Sequence, residues 1–300
     1  MNYNISLNGL DACVGRGGSV MPLEGGTYEV NDLLLEHATV AINGVQHPAQ
    51  LGTQIAKIFG DRYECPVYTV NPPEVDEFEE IARVTGIKGI KRESHLHALN
   101  LKETAIRHSK EIGRKYEESN YIVCHIGGGI SISAHEKGRM IDGNDIAKGL
   151  GPIAPTRCGT IPTGYLIDFC FESGKTQKEL KALCTKNGGV ADLLGTSDMK
   201  KVYEKVVNGA PEETLVWDAM IYSICKEIGS MSCVLHGEVD GILLSGGLVY
   251  NDDLVEKIKT RCSHLGKIFA YPGEFEMEAM ANGALRVLQG LEIAKEYIGS

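Results

Sequence analysis

The sequence of 300 residues contains no long hydrophobic run. None of its apolar stretches approaches the roughly 18 residues that a membrane-spanning helix needs, so a membrane protein is not expected. Positive charge is also in short supply, because 40 acidic residues outnumber 30 basic ones and give a net charge of -10. A protein of this charge repels polyanions, so nucleic acid is not expected as a partner either.

Cysteine and histidine motifs are missing too. The nine cysteines include no Cys-x-x-Cys pair and no Cys/His spacing of a zinc site, so we predict reduced thiols and no disulfide framework. His47, His95, His97 and His125 lack the zinc-enzyme spacing around a glutamate, which favours hydrogen-bonding roles over metal ligation. Reduced thiols and an N-terminal sequence unlike a signal peptide predict a cytoplasmic protein.

Short β-rich runs alternate with longer helical patterns, and this alternation predicts an α/β protein. A chain of this length suits two domains of roughly 150 residues each. Strands are predicted at residues 10–15, 65–70, 121–126, 130–136, 241–247 and 267–272, with another strand after the turn at 137–139. Helices are predicted at residues 49–59, 74–80, 95–118, 163–173, 177–185, 214–235 and 275–296, the last broken at 282–284.

The strongest candidate for a functional site is HIGGG, residues 125–129, between two predicted strands. Gly127, Gly128 and Gly129 let the backbone turn sharply, so that several N–H groups can converge on one point. Such a nest of amide dipoles binds phosphate oxygens, although a plain β-hairpin is the structural alternative. The motif matches neither GxxxxGK[ST] nor GxGxxG, which disfavours a P-loop NTPase and a dinucleotide-binding fold.

A second glycine motif, LLSGGL at residues 243–248, ends a buried strand. Open α/β sheets commonly bind ligands at the carboxyl ends of their strands, and bare glycine backbone there would let a flat ligand lie close. Close packing of a helix on the strand would explain the same glycines. Both interpretations stay open on the residues alone.

Two arginines lie in glycine-rich loops. Arg157 belongs to the segment GLGPIAPTRCGTIPTG, and Arg16 belongs to VGRGG. A planar guanidinium can bind a phosphoryl group or a carboxylate through two parallel hydrogen bonds. An isolated arginine is more often a solvated surface residue, so a functional role is one of two interpretations.

Taken together, these motifs resemble the butyrate kinase family. HIGGGISISAH, VGRGG, GGTYEVN, HALN, the Arg157 loop, LLSGGL and YPGEFEM occur in the family's order over nearly the whole chain. The resemblance implies the superfamily of acetate kinases, sugar kinases and actin. It predicts a two-domain α/β fold of the actin-like ATPase (ribonuclease H-like) type, with the nucleotide in the cleft between the domains. Residues 1–118 are then the acyl-substrate domain, and residues 119–300 are the nucleotide-binding domain.

By resemblance, two glycine segments bind the nucleotide, the first its phosphates and the second its adenosine. These segments are Gly127, Gly128 and Gly129, followed by Ser245, Gly246 and Gly247. The small residues at 282–284 are implied to form a helix contact between the domains.

The resemblance also assigns residues to the reacting groups. Arg157 corresponds to the arginine that stabilises the transferring phosphoryl group, and Arg16 corresponds to one that holds the acceptor carboxylate. His97 and His125 correspond to active-site histidines. The implied reaction converts ATP and butyrate into ADP and butyryl phosphate with Mg²⁺, and the implied partners are a short-chain fatty acid or its acyl phosphate and a second copy of the chain.

The implied chemistry needs no general base. A fatty-acid carboxyl has a pKa near that of glutamate, about 4.3, and is already anionic at neutral pH. The obstacle is the repulsion between this anion and the γ-phosphate, which arginines and Mg²⁺ would offset while they hold the reactants in line.

Two features depart from the family pattern. The family opens with a hairpin that carries Asn-Pro-Gly-Ser-x-Ser, and this motif does not occur in the sequence. The difference predicts that the first three strands of the N-terminal domain are missing. Their loss would expose a sheet edge and apolar surface. Asn71 stands where the family has an aspartate. An amide cannot supply the negative charge that helps to hold a cation, so Asn71 is an active-site candidate with altered chemistry.

Two hypotheses of different classes follow. The chain is an active carboxylate kinase, or it is a truncated or degenerate family member that binds nucleotide weakly or serves as a partner of a complete kinase. An unrelated α/β binding protein is a third, more remote hypothesis.

Overall fold

The computed structural model describes residues 7–44 and 48–299. His47 and the first six residues of the N-terminal sequence lie outside this part of the chain. Within it, no helix is both long and apolar enough to cross a membrane. All nine cysteines are described and all are free thiols, in agreement with the prediction of reduced cysteines.

The described residues form a mixture of strands and helices, which confirms the α/β class. The strands are β1 (Cys13–Gly15), β2 (Thr27–Glu29), β3 (Val67–Val70), β4 (Asn120–Ile126), β5 (Ile130–Glu136), β6 (Arg139–Gly143), β7 (Gly241–Gly246) and β8 (Ile268–Pro272). The helices are α1 (Asp32–Val40), α2 (Gln50–Tyr63), α3 (Glu80–Arg83), α4 (Ala98–Glu111), α5 (Thr163–Glu172), α6 (Gln177–Thr185), α7 (Val190–Leu194), α8 (Met199–Val207), α9 (Pro211–Val234), α10 (Asp252–Cys262) and α11 (Glu276–Leu288).

Each predicted strand overlaps an observed one, but three predicted helices differ from the structure. The prediction of an acidic helix at 74–80 is wrong, since this segment is irregular until α3 begins at Glu80. The helix predicted at 95–118 already ends at Glu111. Gly113, two residues later, adopts the left-handed conformation with φ of 71°, and this is a common way for a helix to terminate.

The helix predicted at 275–296 is wrong in two respects, because α11 is unbroken at 282–284 and already ends at Leu288. Helix α1 was not predicted, although its start has a recognisable signal. Asn31 caps the helix by accepting a hydrogen bond from the N–H of Leu34 at 2.9 Å. The other elements missing from the sequence prediction are β2, α3, α7, α8 and α10.

The described residues fall into two compact units. Unit 1 comprises those within Met1–Glu77, Ala98–Glu103 and Phe275–Ser300, and unit 2 comprises Phe78–His97 and Thr104–Glu274. This division differs from the predicted boundary after residue 118, because residues 78–97 and 104–118 belong to unit 2 and the C-terminal segment joins unit 1. The binding functions assigned to the two domains stay predictions.

Unit 1 contains a three-stranded sheet in the order β1-β3-β2. Strand β3 pairs in parallel with β1 and antiparallel with β2. Helix α2 lies very close to β1, since a Cβ atom at Gly15 would overlap the backbone of Gly52, and one at Gly52 would lie 2.5 Å from the carbonyl oxygen of Arg16. The absence of these side chains therefore lets α2 hold the backbone at Arg16.

Helix α11 packs on β3 within unit 1 through small residues. A Cβ atom at Gly283 would lie 2.6 Å from both methyl groups of Val70. Asn282 donates from Nδ2 to Glu103 Oε1 at 2.7 Å. Residues 282–284, predicted to break the helix, are therefore a packing site of a continuous helix.

Unit 2 contains a five-stranded sheet in the order β6-β5-β4-β7-β8. The β4-β5-β6 part is antiparallel, and β7 and β8 continue from β4 in parallel. Helix α9 lies against β4 and β5 and buries a stripe of residues at helical spacing. The largest side chains of this stripe are Trp217, Met220, Ile221, Ile224, Ile228 and Met231. The apolar face predicted for residues 214–235 is therefore core.

We expect Gly283→Ala to destabilise the protein and Gly229→Ala, in α9, to stabilise it. Alanine gains up to about 1 kcal/mol over glycine in a helix interior. At position 283 the new Cβ would overlap Val70, and overpacking costs about 1–3 kcal/mol, whereas at position 229 it would meet no atom within 4 Å. The measurement is the free energy of unfolding from urea denaturation followed by circular dichroism. A Gly283→Ala variant as stable as Gly229→Ala would contradict the close packing of α11.

Candidate active site

The three glycines form the turn of the β4–β5 hairpin. The N–H of Gly127 donates to the carbonyl oxygen of Gly129 at 3.1 Å, so the hairpin itself uses this donor. The N–H groups of Gly128 and Gly129 donate no hydrogen bond to any described residue. A Cβ atom at position 128 would meet no atom within 4 Å, so the turn is open there. Two unused amide donors at an open glycine turn can bind an anion such as phosphate.

The two predicted active-site histidines lie together beside this turn. Ser131 Oγ accepts a hydrogen bond from the backbone N–H of His97 at 3.2 Å and lies 2.8 Å from His97 Nδ1. The rings of His97 and His125 are 4.2 Å apart between centroids and tilted by 33°. His125 is 2% exposed, and its Nε2 lies 3.8 Å from Oε1 of Glu274.

The guanidinium of Arg157 lies against Gly129, the last residue of the turn. A Cβ atom at Gly129 would overlap it, so a residue with a side chain would displace the arginine. Within the described residues the guanidinium has no ion pair and no hydrogen-bond partner, and its Nε is buried. Partial burial lowers the pKa of Arg157, but a guanidinium stays charged because its pKa is far above neutral. An uncompensated positive charge therefore adjoins the two unused amide donors.

The loop that carries Arg157 is attached to the hairpin. Thr156 donates from its backbone N–H and from Oγ1 to the carbonyl oxygen of Gly128, at 3.2 and 2.8 Å. Inside the loop, the N–H of Ala154 donates to the carbonyl oxygen of Arg157 at 3.1 Å. Gly189 lies close to the carbonyl groups of Ala154 and Arg157, and a Cβ atom at position 189 would overlap both oxygens. These contacts fix the loop from Ala154 to the carbonyl group of Arg157.

The predicted adenosine segment has mainly structural contacts. Ser245 is fully buried and donates from Oγ to the carbonyl oxygen of Cys124 at 3.1 Å. Gly246 has φ of 98°, and a Cβ atom there would overlap the backbone of Ile126, at the base of the hairpin. A Cβ atom at Gly247 would meet nothing within 4 Å, so this residue offers open backbone. Nucleotide binding by the segment stays a prediction.

Unit 1 carries the other two candidates. Arg16 follows β1 and pairs with Glu276, with 2.6 Å between Nη1 and Oε2. Asn71 follows β3, the parallel neighbour of β1, so both residues lie at the same edge of the sheet. Asn71 has φ of 40°, which asparagine tolerates better than most residues, and its Oδ1 accepts from the N–H of Gly26 at 2.7 Å. Its amide oxygen thus has a structural role.

Unit 2 therefore brings together the glycine turn, both histidines, Arg157 and the base of the SGG segment, while Arg16 and Asn71 adjoin one sheet edge in unit 1. Sequence reasoning assigned no role to Ser131, Thr156 or Glu274. The alternating pattern of β5 could have singled out Ser131, because it is the first polar residue after the glycines and points away from the apolar face. No local signal predicts that Thr156 binds Gly128.

A hydrogen bond between the side chains of His95 and Asp145 holds the segment that leads into His97. His95 Nδ1 lies 3.1 Å from Asp145 Oδ2, and the carbonyl oxygen of His95 accepts from the N–H of Ile146 at 3.2 Å. The other carboxylate oxygen of Asp145 accepts from the N–H groups of Ala147 and Lys148 at 2.9 and 3.0 Å. The hydrogen bond to Asp145 raises the pKa of His95, although burial opposes the shift.

Comparison with known proteins identifies the family. Residues 82–270 match the sequence profile of the acetokinase family, which is more than half of the chain. The chain belongs to the acetokinase family. The resemblance inferred from the motifs is therefore confirmed at the level of the acetokinase family. Butyrate as the substrate is a more specific prediction than this family match.

Solved acetate and propionate kinases share the fold of this acetokinase family member. Porphyromonas gingivalis acetate kinase matches with a TM-score of 0.79 and 19% identity, covering 94% of this chain and 79% of that chain. Entamoeba histolytica acetate kinase has a TM-score of 0.76 and 16% identity, covering 93% and 79%. A propionate kinase from Francisella tularensis has a TM-score of 0.71 and 18% identity, covering 89% and 76%. The predicted α/β fold of the actin-like type is confirmed.

We expect the His95–Asp145 pair to make stability depend on pH. Because the pKa of His95 in the folded protein is raised above its unfolded value of about 6.5, the pair's contribution is complete below that pH and is lost as pH rises through the folded pKa. Asp145→Asn keeps an oxygen acceptor for Ala147 and Lys148 but removes the charge. The difference in Tm between wild type and variant should be larger at a pH of about 6 than at about 8.5. Equal differences at both values would contradict the ion pair.

Proposed function

We propose that this acetokinase family member is a carboxylate kinase that transfers a phosphoryl group between ATP and butyrate, or a related short-chain or branched-chain fatty acid. In the forward direction, a carboxylate oxygen attacks the γ-phosphorus, the bond to the β-phosphate oxygen breaks, and ADP leaves. The products are ADP and an acyl phosphate. Family membership supports the reaction class, and the motifs resembling butyrate kinase support the choice of butyrate.

The observation that carries the proposal is the uncompensated charge of Arg157 on the glycine turn. A protein with a net charge of -10 must bind its anionic substrates at local positive charge. The guanidinium has no carboxylate partner among the described residues, and it adjoins the unused N–H groups of Gly128 and Gly129. Fixed donors of this kind stabilise charge that develops on a transferring phosphoryl group.

We assign the acceptor carboxylate to Arg16. Its guanidinium binds the carboxylate of Glu276 at 2.6 Å, and a fatty-acid carboxylate would bind through the same kind of charge-assisted hydrogen bond. The acceptor would replace or share this partner. His97 and His125 would position phosphoryl oxygens beside the glycine turn, and no general base is required because the acceptor is already ionised, with a pKa of about 4.3.

Mg²⁺ enters this proposal as part of the Mg–ATP substrate. No group of three or more His, Cys, Asp or Glu side chains suited to hold a metal ion occurs in residues 7–44 and 48–299. The amide oxygen of Asn71 already accepts from Gly26. The described residues therefore form no metal cage of their own, and Mg²⁺ commonly keeps phosphate and water ligands.

The first experiment measures acyl phosphate, trapped as hydroxamate, after incubation of the chain with butyrate and Mg–ATP. Arg157→Ala should lower kcat by about 10²- to 10³-fold, because it removes a donor that stabilises the transition state. Arg139→Ala is the matched control, since Arg139 is an exposed arginine of the same unit. It should leave kcat unchanged.

The outcomes separate the two hypotheses. Turnover that Arg157→Ala lowers by about 10²- to 10³-fold and that Arg139→Ala preserves supports the kinase. A folded wild-type chain that binds ATP without forming acyl phosphate would instead support a degenerate nucleotide-binding or partner protein. Comparison of kcat/KM for propionate, butyrate and isobutyrate tests the acyl assignment, since one methylene changes discrimination by about 10- to 200-fold.

A homo-oligomer and a cytoplasmic location stay predictions. Helix α5 has no buried residue, and its side chains Tyr165 (76% exposed) and Phe171 (87% exposed) face solvent. Exposed aromatic side chains of this kind support association of the chain with a second copy. Light scattering on the purified chain measures the oligomeric state directly.

A further inference from the structure

We propose that Asn144 is a positioning residue that holds the Arg157 loop on the glycine hairpin, so that the rate of phosphoryl transfer depends on its side-chain amide. The inference rests on the proposed function for its kinetic consequence. Asn144 follows β6 directly and is 1% exposed, so it has no access to substrate of its own.

The amide of Asn144 joins two segments of backbone. Its Oδ1 accepts from the N–H of Ile132 at 2.6 Å, and its Nδ2 donates to the carbonyl oxygen of Ile130 at 2.9 Å. The same Nδ2 donates to the carbonyl oxygen of Leu150 at 3.2 Å. Ile130 and Ile132 belong to β5 immediately after the glycine turn, whereas Leu150 belongs to the loop that carries Arg157. One side chain therefore bonds both halves of the site.

The loop also packs tightly on this amide. Gly151 has φ of 112°, and a Cβ atom there would lie 2.5 Å from Asn144 Nδ2. From this point the loop continues to Thr156, which donates twice to Gly128, and to Arg157, whose guanidinium lies on Gly129. Asn144 thus holds the start of the loop, and Thr156 holds the part of it beside the arginine.

Asparagine is well suited to this position. The site requires one acceptor and two donated hydrogen bonds from a single planar group, and a side-chain amide supplies all three. A carboxylate would face the carbonyl oxygens of Ile130 and Leu150 without a proton to donate. Leucine would fill a similar volume but leave two buried backbone groups, of Ile130 and Ile132, and the partly buried carbonyl of Leu150 without this hydrogen-bond partner.

The expected consequence is a loss of kcat with little change in KM. Freeing the start of the loop would shift Arg157 relative to the glycine turn, and a misplacement of about 1 Å can cost on the order of 10²-fold in rate. We expect Asn144→Ala to lower kcat by about 10- to 100-fold. Ser133→Ala is the matched control, because Ser133 is also buried and hydrogen-bonded on β5, but to His135, at 2.7 Å.

A double-mutant cycle with Arg157→Ala distinguishes positioning from general destabilisation. If Asn144 acts through the arginine, Asn144→Ala will lower kcat in wild type but hardly at all in the Arg157→Ala background. Independent, multiplicative losses would overturn the proposal. An equal loss of kcat in Ser133→Ala would overturn it too.

A second measurement does not depend on turnover. Hydrogen exchange of the Thr156 amide, which donates to Gly128, should accelerate in Asn144→Ala and not in Ser133→Ala. Unchanged exchange would overturn the positioning role. If the wild-type chain makes no acyl phosphate, the proposed function fails, while the exchange experiment still decides whether Asn144 holds the loop. Should Asn144→Ala not fold, Asn144→Ser takes its place in both experiments.

Discussion

The candidate site depends on the contact between the guanidinium of Arg157 and the bare backbone of Gly129. Any side chain at position 129 would occupy the place of the guanidinium. Thr156 and Asn144 attach the part of the loop that precedes Arg157 to the same hairpin, so hydrogen bonds hold the backbone that leads to the charge. A charge that is placed before the reaction needs no reorganisation while negative charge develops on a phosphoryl group.

The two candidate arginines differ in their electrostatic state. Arg16 is neutralised by Glu276 at 2.6 Å, whereas Arg157 has no counter-charge among the described residues. A carboxylate that binds Arg16 must compete with a carboxylate of the chain. A phosphate that binds Arg157 meets no such competitor. The proposed reaction joins a fatty-acid carboxylate, which has a single negative charge and is assigned to Arg16, to a phosphate chain with several negative charges, which is assigned to Arg157. The arginine without a counter-charge is thus the one assigned to the more highly charged group.

Several motif residues have contacts that explain them without any ligand. Ser245 bonds the carbonyl oxygen of Cys124, Asn71 bonds Gly26, and Gly283 makes room for Val70. In each case the residue type follows from burial, a left-handed backbone or close helix packing. Functional and structural roles can coexist, but a sequence motif does not separate them, because both select the same small or polar residue.

The sequence by itself determined the α/β class, the strands β4, β5, β7 and β8, the long helix α9 and the glycine turn, because each of these follows from hydrophobic periodicity or glycine content within one short segment. It did not determine where α4 ends, whether α11 is continuous, or how the chain divides into units. Only the tertiary structure decided that His97 meets Ser131 and that Arg157 lies on Gly129. Such contacts join residues distant in sequence, and they depend on how whole elements pack rather than on any local pattern.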